Sequence, residues 1–469
     1  MMIRRSALAA LVALTIGGAA ACTDSGQADE GFGPGAAGIG DPYFPTYGNG
    51  GYDVKDYALV LRYDPGSDRL EGTATITATA TQNLSRFNLD FRGPEVSAVT
   101  VDGAAAAEQK READELVVTP AAGLRKDSTF TTVVTYGGVP QPITSPELGT
   151  GGWLATPTGA IALGQPESAS SWYPVNDHPR DKATFALEMT VPNGTSALSN
   201  GAPGEKTEKD GWTTWRWRES APMASYLSTV VIGDFRVTTG SHQGKPIVTA
   251  VDNTLAKDSN ADKAMARTGE VADFLATQFG PYPFDAYGGV VVVDNRIRYA
   301  LETQSRPVYS DSFFSSSTSE WVVAHELAHQ WFGDSVSIGA WRDIWLNEGF
   351  ATYAEWLWAE HDEGVPVRTS FDRAYETIRW EDPTFDPGTS GLFGNSVYIR
   401  GGLTVHALRE EVGDDSFFRI LKEWTAQKRN ANATTEEFIA LAERISGKPL
   451  REFLMAWLTS KTPPPKPGD

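Results

Sequence analysis

The chain has 469 residues, more than one hydrophobic core usually organises, so two or more domains are expected. Its composition, 41% hydrophobic and 21% charged, is that of a globular protein. With 40 basic against 60 acidic residues the net charge is −20, which argues against nucleic acid as a partner and for a soluble surface.

The first predicted element is an export signal over residues 1–21. Arg4 and Arg5 supply a short positive region, Ala7 to Ala21 is an apolar run too short for a membrane span, and Ala19-Ala20-Ala21 closes it. Small residues directly before Cys22 resemble the bacterial lipobox, in which the Cys carries lipid at the start of the mature chain. Cys22 is the only Cys, so no internal disulfide competes for it. Residues 22–42, rich in Gly and Ala, then read as a lipid-anchored tether. These features place the protein on the outer face of a bacterial cell membrane, or free outside the cell if cleavage passes Cys22.

Residues 43–240 read as a β domain. Tyr57 to Tyr63 and Gly72 to Ala80 are extended, alternating or β-branched runs, and Asp64-Pro65-Gly66 and Asp102-Gly103 are turn signals. Phe130 to Tyr136, Thr184 to Val191, Trp212 to Trp217 and Tyr226 to Val237 are further strand candidates. A second domain is expected over 241–461, and residues 462–469 form a proline-rich tail. Its elements begin with a helix over Ala261 to Phe279, a buried strand over Val290 to Val293, and an edge strand over Ile297 to Thr303.

The chemistry concentrates in residues 321 to 353. His325 and His329, four apart on a helix, project from one face and can share a metal ion, with Glu326 beside it. Ser317 and Glu320 have capping-box spacing, which starts that helix at Ser317. Eighteen residues separate His329 from Glu348, room for an antiparallel return that brings a third ligand back to the pair. Two His and one carboxylate leave one position of a tetrahedral zinc open, the catalytic arrangement. On the return helix, Asn347 to about His361, the stripe of Phe350, Tyr353, Trp356 and Trp358 reads as core. Glu355 lies seven residues after Glu348 on the same face, where it either orients a ligand histidine or makes a surface salt bridge. Ser396 to Gly402 opens another helix, and Phe417 to Lys428, a Thr434/Glu437 capping box and Leu450 to Leu458 mark the last ones.

These residues, with Gln330-Trp331-Phe332-Gly333-Asp334 and Trp341 to Ala351, resemble the aminopeptidase N family of gluzincin zinc metallopeptidases, in a short two-domain bacterial form. The resemblance implies an α+β multidomain fold: an amino-terminal antiparallel β-sandwich or saddle, then a thermolysin-like, mainly α-helical catalytic domain, with no carboxy-terminal helical arch. It implies one zinc per chain on His325, His329 and Glu348, with Glu326 as general base. Ser396 to Gly402 is similar to the family string whose tyrosine stabilises the oxyanion, which assigns that role to Tyr398.

Tyr299-Ala300-Leu301-Glu302-Thr303 is similar to the family's Gly-Ala-Met-Glu-Asn motif. The resemblance gives Ala300 backbone pairing with the peptide and Glu302 the grip on its terminal amine, although Tyr299 and Thr303 depart from the pattern. Likewise Gln165 and Glu167 correspond to a polar wall and a second amine binder, with Ser171 and Val175 as departures. The implied function is a zinc aminopeptidase acting on peptides with free N-termini, as a monomer tied to the membrane through Cys22. The altered amine motif leaves open endopeptidase or other hydrolase activity, and a non-catalytic peptide-binding lipoprotein is the reading from another class.

Overall fold

Strand alternation builds the amino-terminal half. In the computed structural model, which describes residues 31–145 and 149–467, the strand Tyr52–Asp64 buries Tyr52 and Val54, then Tyr57, Leu59, Leu61 and Tyr63. The phase slips by one residue between Val54 and Tyr57 because a bulge interrupts pairing with Arg69–Ala80 between Val54 and Asp56. These two strands lie inside a nine-stranded sheet, flanked by Lys182–Pro192 on one side and Thr129–Gly138 on the other. A five-stranded and a four-stranded sheet complete this half. The strand expected over Tyr226 to Val237 is broken. Ser225–Leu227 forms a 3-10 turn, and two separate strands, Val230–Gly233 and Phe235–His242, follow it.

The second half begins earlier than expected. Residue 240 falls inside the strand Phe235–His242, which pairs along its length with Lys245–Asp252, so the sheet itself carries the chain across the expected boundary at 240/241. That sheet runs Phe235–His242, Lys245–Asp252, Tyr287–Val292, Val308–Ser310, Ala300–Leu301. Only Ala300–Leu301 of the expected edge strand is paired, but it does lie at the edge.

Nine α-helices occur among the described residues: α1 Asn260–Ala266, α2 Thr268–Phe279, α3 Glu320–Ala328, α4 Trp345–Glu363, α5 Val367–Thr377, α6 Gly401–Val412, α7 Asp414–Gln427, α8 Thr435–Ser446 and α9 Arg451–Thr459. The single helix expected over Ala261 to Phe279 divides at Arg267, whose guanidinium binds Glu270 and Asp362. The Thr434/Glu437 capping box forms at α8. The one expected at Ser317 does not. Helix α3 starts at Glu320, too far along for Ser317 to cap, and Ser319 precedes it in the left-handed conformation with its hydroxyl on the Phe313 carbonyl. None of these helices is long and apolar enough to cross a membrane.

Cys22, the export signal and the first part of the tether lie outside the described residues. The tether's expected end at 42 does not hold. Gly33–Pro34 pairs with the strand Leu84–Asp90, and Asp41 is 1% exposed. The Asp41 carboxylate accepts from the backbone of Tyr43 and Trp341 and pairs with His178, so it is a structural anchor rather than part of a spacer. The tail also packs, because Tyr375 donates to the Pro464 carbonyl and Lys466 pairs with Asp372.

Candidate active site

Helix α3 presents His325, and His329 closes its last turn. The chain reverses through Gly333, whose φ of +129° few side chains would permit, and Glu348 returns in the first turn of α4. Phe350, Tyr353, Trp356 and Trp358 are buried along α4, so the aromatic stripe is core as expected. Both imidazoles turn Nε2 inward, 3.4 and 3.3 Å from Glu348 Oε2. Their Nδ1 atoms are held from behind, His325 by Glu355 at 2.6 Å and His329 by the Phe332 carbonyl at 2.9 Å. Of the two readings of Glu355, the structure therefore gives the one that orients a histidine.

The two Nε2 atoms and Glu348 Oε2 thus converge on one point. Tetrahedral zinc with bonds of 2.0–2.1 Å sets its donors about 3.3 Å apart. The observed spacing and the His, His, carboxylate donor set fit that ion. Burial alone would lower the imidazoles, but Glu348 outweighs it and His329 is raised to about 9. Burial opposes ionisation of Glu348, yet the histidines hold it down at about 2.

Glu326, 5% exposed, lies with Glu302 and His329 so that one donor atom of each falls within 4.8 Å of the others. Burial, reinforced by Glu302 and Glu348 against the two imidazoles, pushes its carboxyl up to about 8. Tyr398 sits in a single π-helical turn, Ser396–Arg400, directly before α6. Its ring stacks on His325 at 5.9 Å. Burial and the nearby carboxylates keep the phenol protonated, hence a hydrogen-bond donor. Arg400, fully buried, fixes this turn by donating to the carbonyls of Trp457, Trp380, Asp382 and Ser460.

A cavity of about 360 Å³ contains His325, Glu326, His329, Glu348, Glu302 and Tyr398. A second of about 360 Å³ shares Gln165, Tyr299, Ala300, Leu301 and Tyr398 with it and reaches Glu167. Glu302 accepts from Tyr226 Oη at 3.0 Å and from Gln165 Nε2 at 3.4 Å. Its backbone carbonyl is pinned by Gln330 Nε2 at 3.0 Å. Thr303 turns away and bonds the Arg306 carbonyl. Glu167 is not a free carboxylate: Arg92 pairs with it at 2.9 Å. Burial nonetheless raises Glu167 to about 7. Sequence reasoning missed Arg92 and Tyr226, which carry no local pattern, and Gln330, whose place directly after His329 was the one available signal.

The family model for the Peptidase M1 N-terminal domain matches residues 53–227, and that for the Peptidase family M1 domain matches 263–457. Aminopeptidase M1-B of Oryza sativa subsp. japonica is 28% identical over 322 residues, 64% of this chain and 36% of that protein. Glutamyl aminopeptidase of Sus scrofa is 28% identical over 319 residues, 62% of this chain and 34% of that protein. The chain thus spans about a third of the length of these curated relatives. Among solved structures, an M1 zinc metallopeptidase from Deinococcus radiodurans is 32% identical with a TM-score of 0.83, covering 92% of this chain and 99% of that one. A mutant of the Deinococcus protein bound to a Tyr-Ser-Ala substrate matches with a TM-score of 0.84 and 32% identity, over 92% of this chain and 99% of that one.

Proposed function

The chain belongs to peptidase family M1, and from that membership we propose that it is a zinc-dependent aminopeptidase, releasing the amino-terminal residue of peptides. The observation that carries this reading is the buried Glu302 carboxylate beside Glu326 and His329. A carboxylate so close to the metal ligands leaves room for one residue between a bound ammonium and the scissile carbonyl. A chain continuing past that point would strand a buried charge without a partner.

His325, His329 and Glu348 would hold a zinc ion, which would supply Lewis acidity, lowering the pKa of water to about 7 and polarising a carbonyl. Glu326 takes the proton of the attacking water on its carboxylate and delivers it to the departing amine. Tyr398 Oη donates to the carbonyl oxygen as negative charge builds there, a contribution of roughly 3 kcal/mol for such a donor. Glu302 receives the ammonium with Gln165 and Tyr226 holding the carboxylate in place, and Ala300 offers backbone groups on the open edge of its strand. Glu167, paired with Arg92, is a polar wall of the adjoining cavity and a weaker amine binder than Glu302.

Hydrolysis of tyrosine p-nitroanilide, set against the N-acetylated compound and Glu326→Gln, tests the reading. The zinc-loaded wild type cleaves only the free-amine compound, and Glu326→Gln keeps zinc while losing at least about a thousandfold in kcat. Cleavage of both compounds alike favours an endopeptidase. We also propose lipid attachment at Cys22, supported by the sequence before it; Cys22→Ser then moves the protein from the membrane fraction to the soluble one, and unchanged fractionation refutes the anchor.

A further inference from the structure

We propose that the mouth of the zinc cavity recognises the carboxylate end of a short peptide, with Arg298 pairing with the free C-terminal carboxylate and Trp321 and Phe313 flanking the departing residue. The inference rests on the aminopeptidase reading and narrows its substrates to peptides of about three residues.

Among the described residues Arg298 is the only Lys or Arg lining the zinc cavity, and it is exposed. In a chain of net charge −20 its guanidinium makes no ion pair among the described residues, and its one hydrogen bond is from Nε to the Asn295 carbonyl at 3.3 Å. Of the two carboxylates four residues away, Asp294 is already taken by Arg296 at 2.5 Å, and Glu302 is buried and accepts from Tyr226 and Gln165. Trp321 is 47% exposed, unlike the other residues of α3 near the metal ligands. Its ring stands edge to face with Phe313 at 5.7 Å, and both rings line the same cavity. An indole left open to water in the same cavity as an unpaired cation is chemically matched to a side chain and a carboxylate.

Direction and reach follow from the edge strand. Ala300–Leu301 pairs with Val308–Ser310 on one side, and the bond from Ser310 N–H to the Tyr299 carbonyl extends that pairing. A peptide added to the open side in antiparallel sense, amine at Glu302, runs back past Ala300 toward Arg298. Only Ala300–Leu301 is strand and the chain bends at Tyr299, so the backbone of Arg298 lies within about 13 Å of that of Glu302, while an extended tripeptide spans about 10 Å, the remainder being within reach of an arginine side chain. A longer peptide carries its carboxylate beyond Arg298.

The test compares kcat/KM for Tyr-Ser-Ala, its C-terminal amide and Tyr-Ser-Glu-amide, as ratios within each protein so that losses of folding or zinc cancel. The wild type prefers the free acid over both amides by about fivefold or more, as a charge-assisted pair at a half-open site gives. Arg298→Gln brings the ratios to about one, and Arg298→Lys keeps part of the preference. Equal cleavage of acid and amide by the wild type overturns the proposal, as does a ratio unchanged in Arg298→Gln. Tyr-Ser-Glu-amide matching the free acid also overturns it, because the cation then reads a side chain. If tyrosine p-nitroanilide itself is untouched, the aminopeptidase reading fails first; if it is cleaved while acid and amide behave alike, only recognition of the carboxylate fails.

Discussion

Gly349 and Gly401 meet backbone to backbone: a β-carbon on Gly349 would lie 2.8 Å from the Gly401 Cα, and one on Gly401 would lie 2.7 Å from the Gly349 Cα. Gly349 follows the proposed ligand Glu348, and Gly401 follows the π turn that carries Tyr398. The contact therefore sets the distance between a metal-binding carboxylate and the proposed oxyanion donor. Gly401→Ala improves local helix propensity by up to about 1 kcal/mol, but must push α4 and α6 apart at a cost of about 1–3 kcal/mol. A shift of several tenths of an ångström at Tyr398 lowers kcat by about tenfold. Thermal unfolding and turnover of the zinc-loaded variant check this, and a more stable, fully active variant would show that the helices yield without moving the site.

Glu355 holds His325 from behind. The 2.6 Å contact with Nδ1 fixes the tautomer that leaves Nε2 free toward Glu348. Glu355→Ala removes that partner and weakens zinc binding by about 10–100-fold. Competition against a chelator of known affinity measures the loss directly. Retained affinity would reduce Glu355 to one more charge at the cavity mouth.

The parts of the site that were legible in the sequence are those fixed by helical spacing. His325 and His329 share a face because four residues make about one turn, and Glu348 returns because the intervening chain is long enough to reverse. Glu355 is legible for the same reason. Arg92, by contrast, meets Glu167 across 75 residues through strand packing, and no local pattern announces such a pair. The glycine-rich start misled in the opposite direction. Its composition reads as a spacer, yet Asp41 reaches 300 residues along the chain to the Trp341 amide, a contact that exists only once both halves have folded. Ser317 failed as a cap for a third reason, because spacing identifies candidates and the preceding loop decides where the helix begins.

His406 makes stability fall on mild acidification. Its ring is 3% exposed, packed 4.6 Å from Phe371, and burial, then Arg409 and Arg368, lower it to about 4. The folded protein therefore refuses a proton that the unfolded chain accepts below about 6.5. Stability is lost as pH falls from about 6.5 to about 4, and no further loss arises from this group below that. The difference amounts to roughly 3 kcal/mol. His406→Gln is expected to be less stable than wild type at pH 7.5, where the ring packs well, and to close that gap by pH 4.5. Zinc loss at low pH affects both proteins alike. Parallel urea-unfolding profiles across this range would remove His406 as a source of acid sensitivity.

Glu302→Gln separates amine capture from catalysis. The replacement is nearly isosteric and its amide oxygen can still accept from Tyr226 Oη, so the edge strand and its pairing with Val308–Ser310 stay in place. What disappears is the charge. Because burial already raises the Glu302 carboxyl, removing that charge relieves a desolvation cost, and the variant is expected to unfold at the same temperature as wild type or higher. Its KM for tyrosine p-nitroanilide should rise by about 100-fold, since a buried ammonium then lacks a counter-ion, while kcat, assigned by the proposed mechanism to Glu326 and Tyr398, should fall much less. The N-acetylated compound, with no ammonium to lose, should bind no worse to the variant than to wild type. A KM within about twofold of wild type would move the amine elsewhere, and the partnered Glu167 would then be the next group to replace.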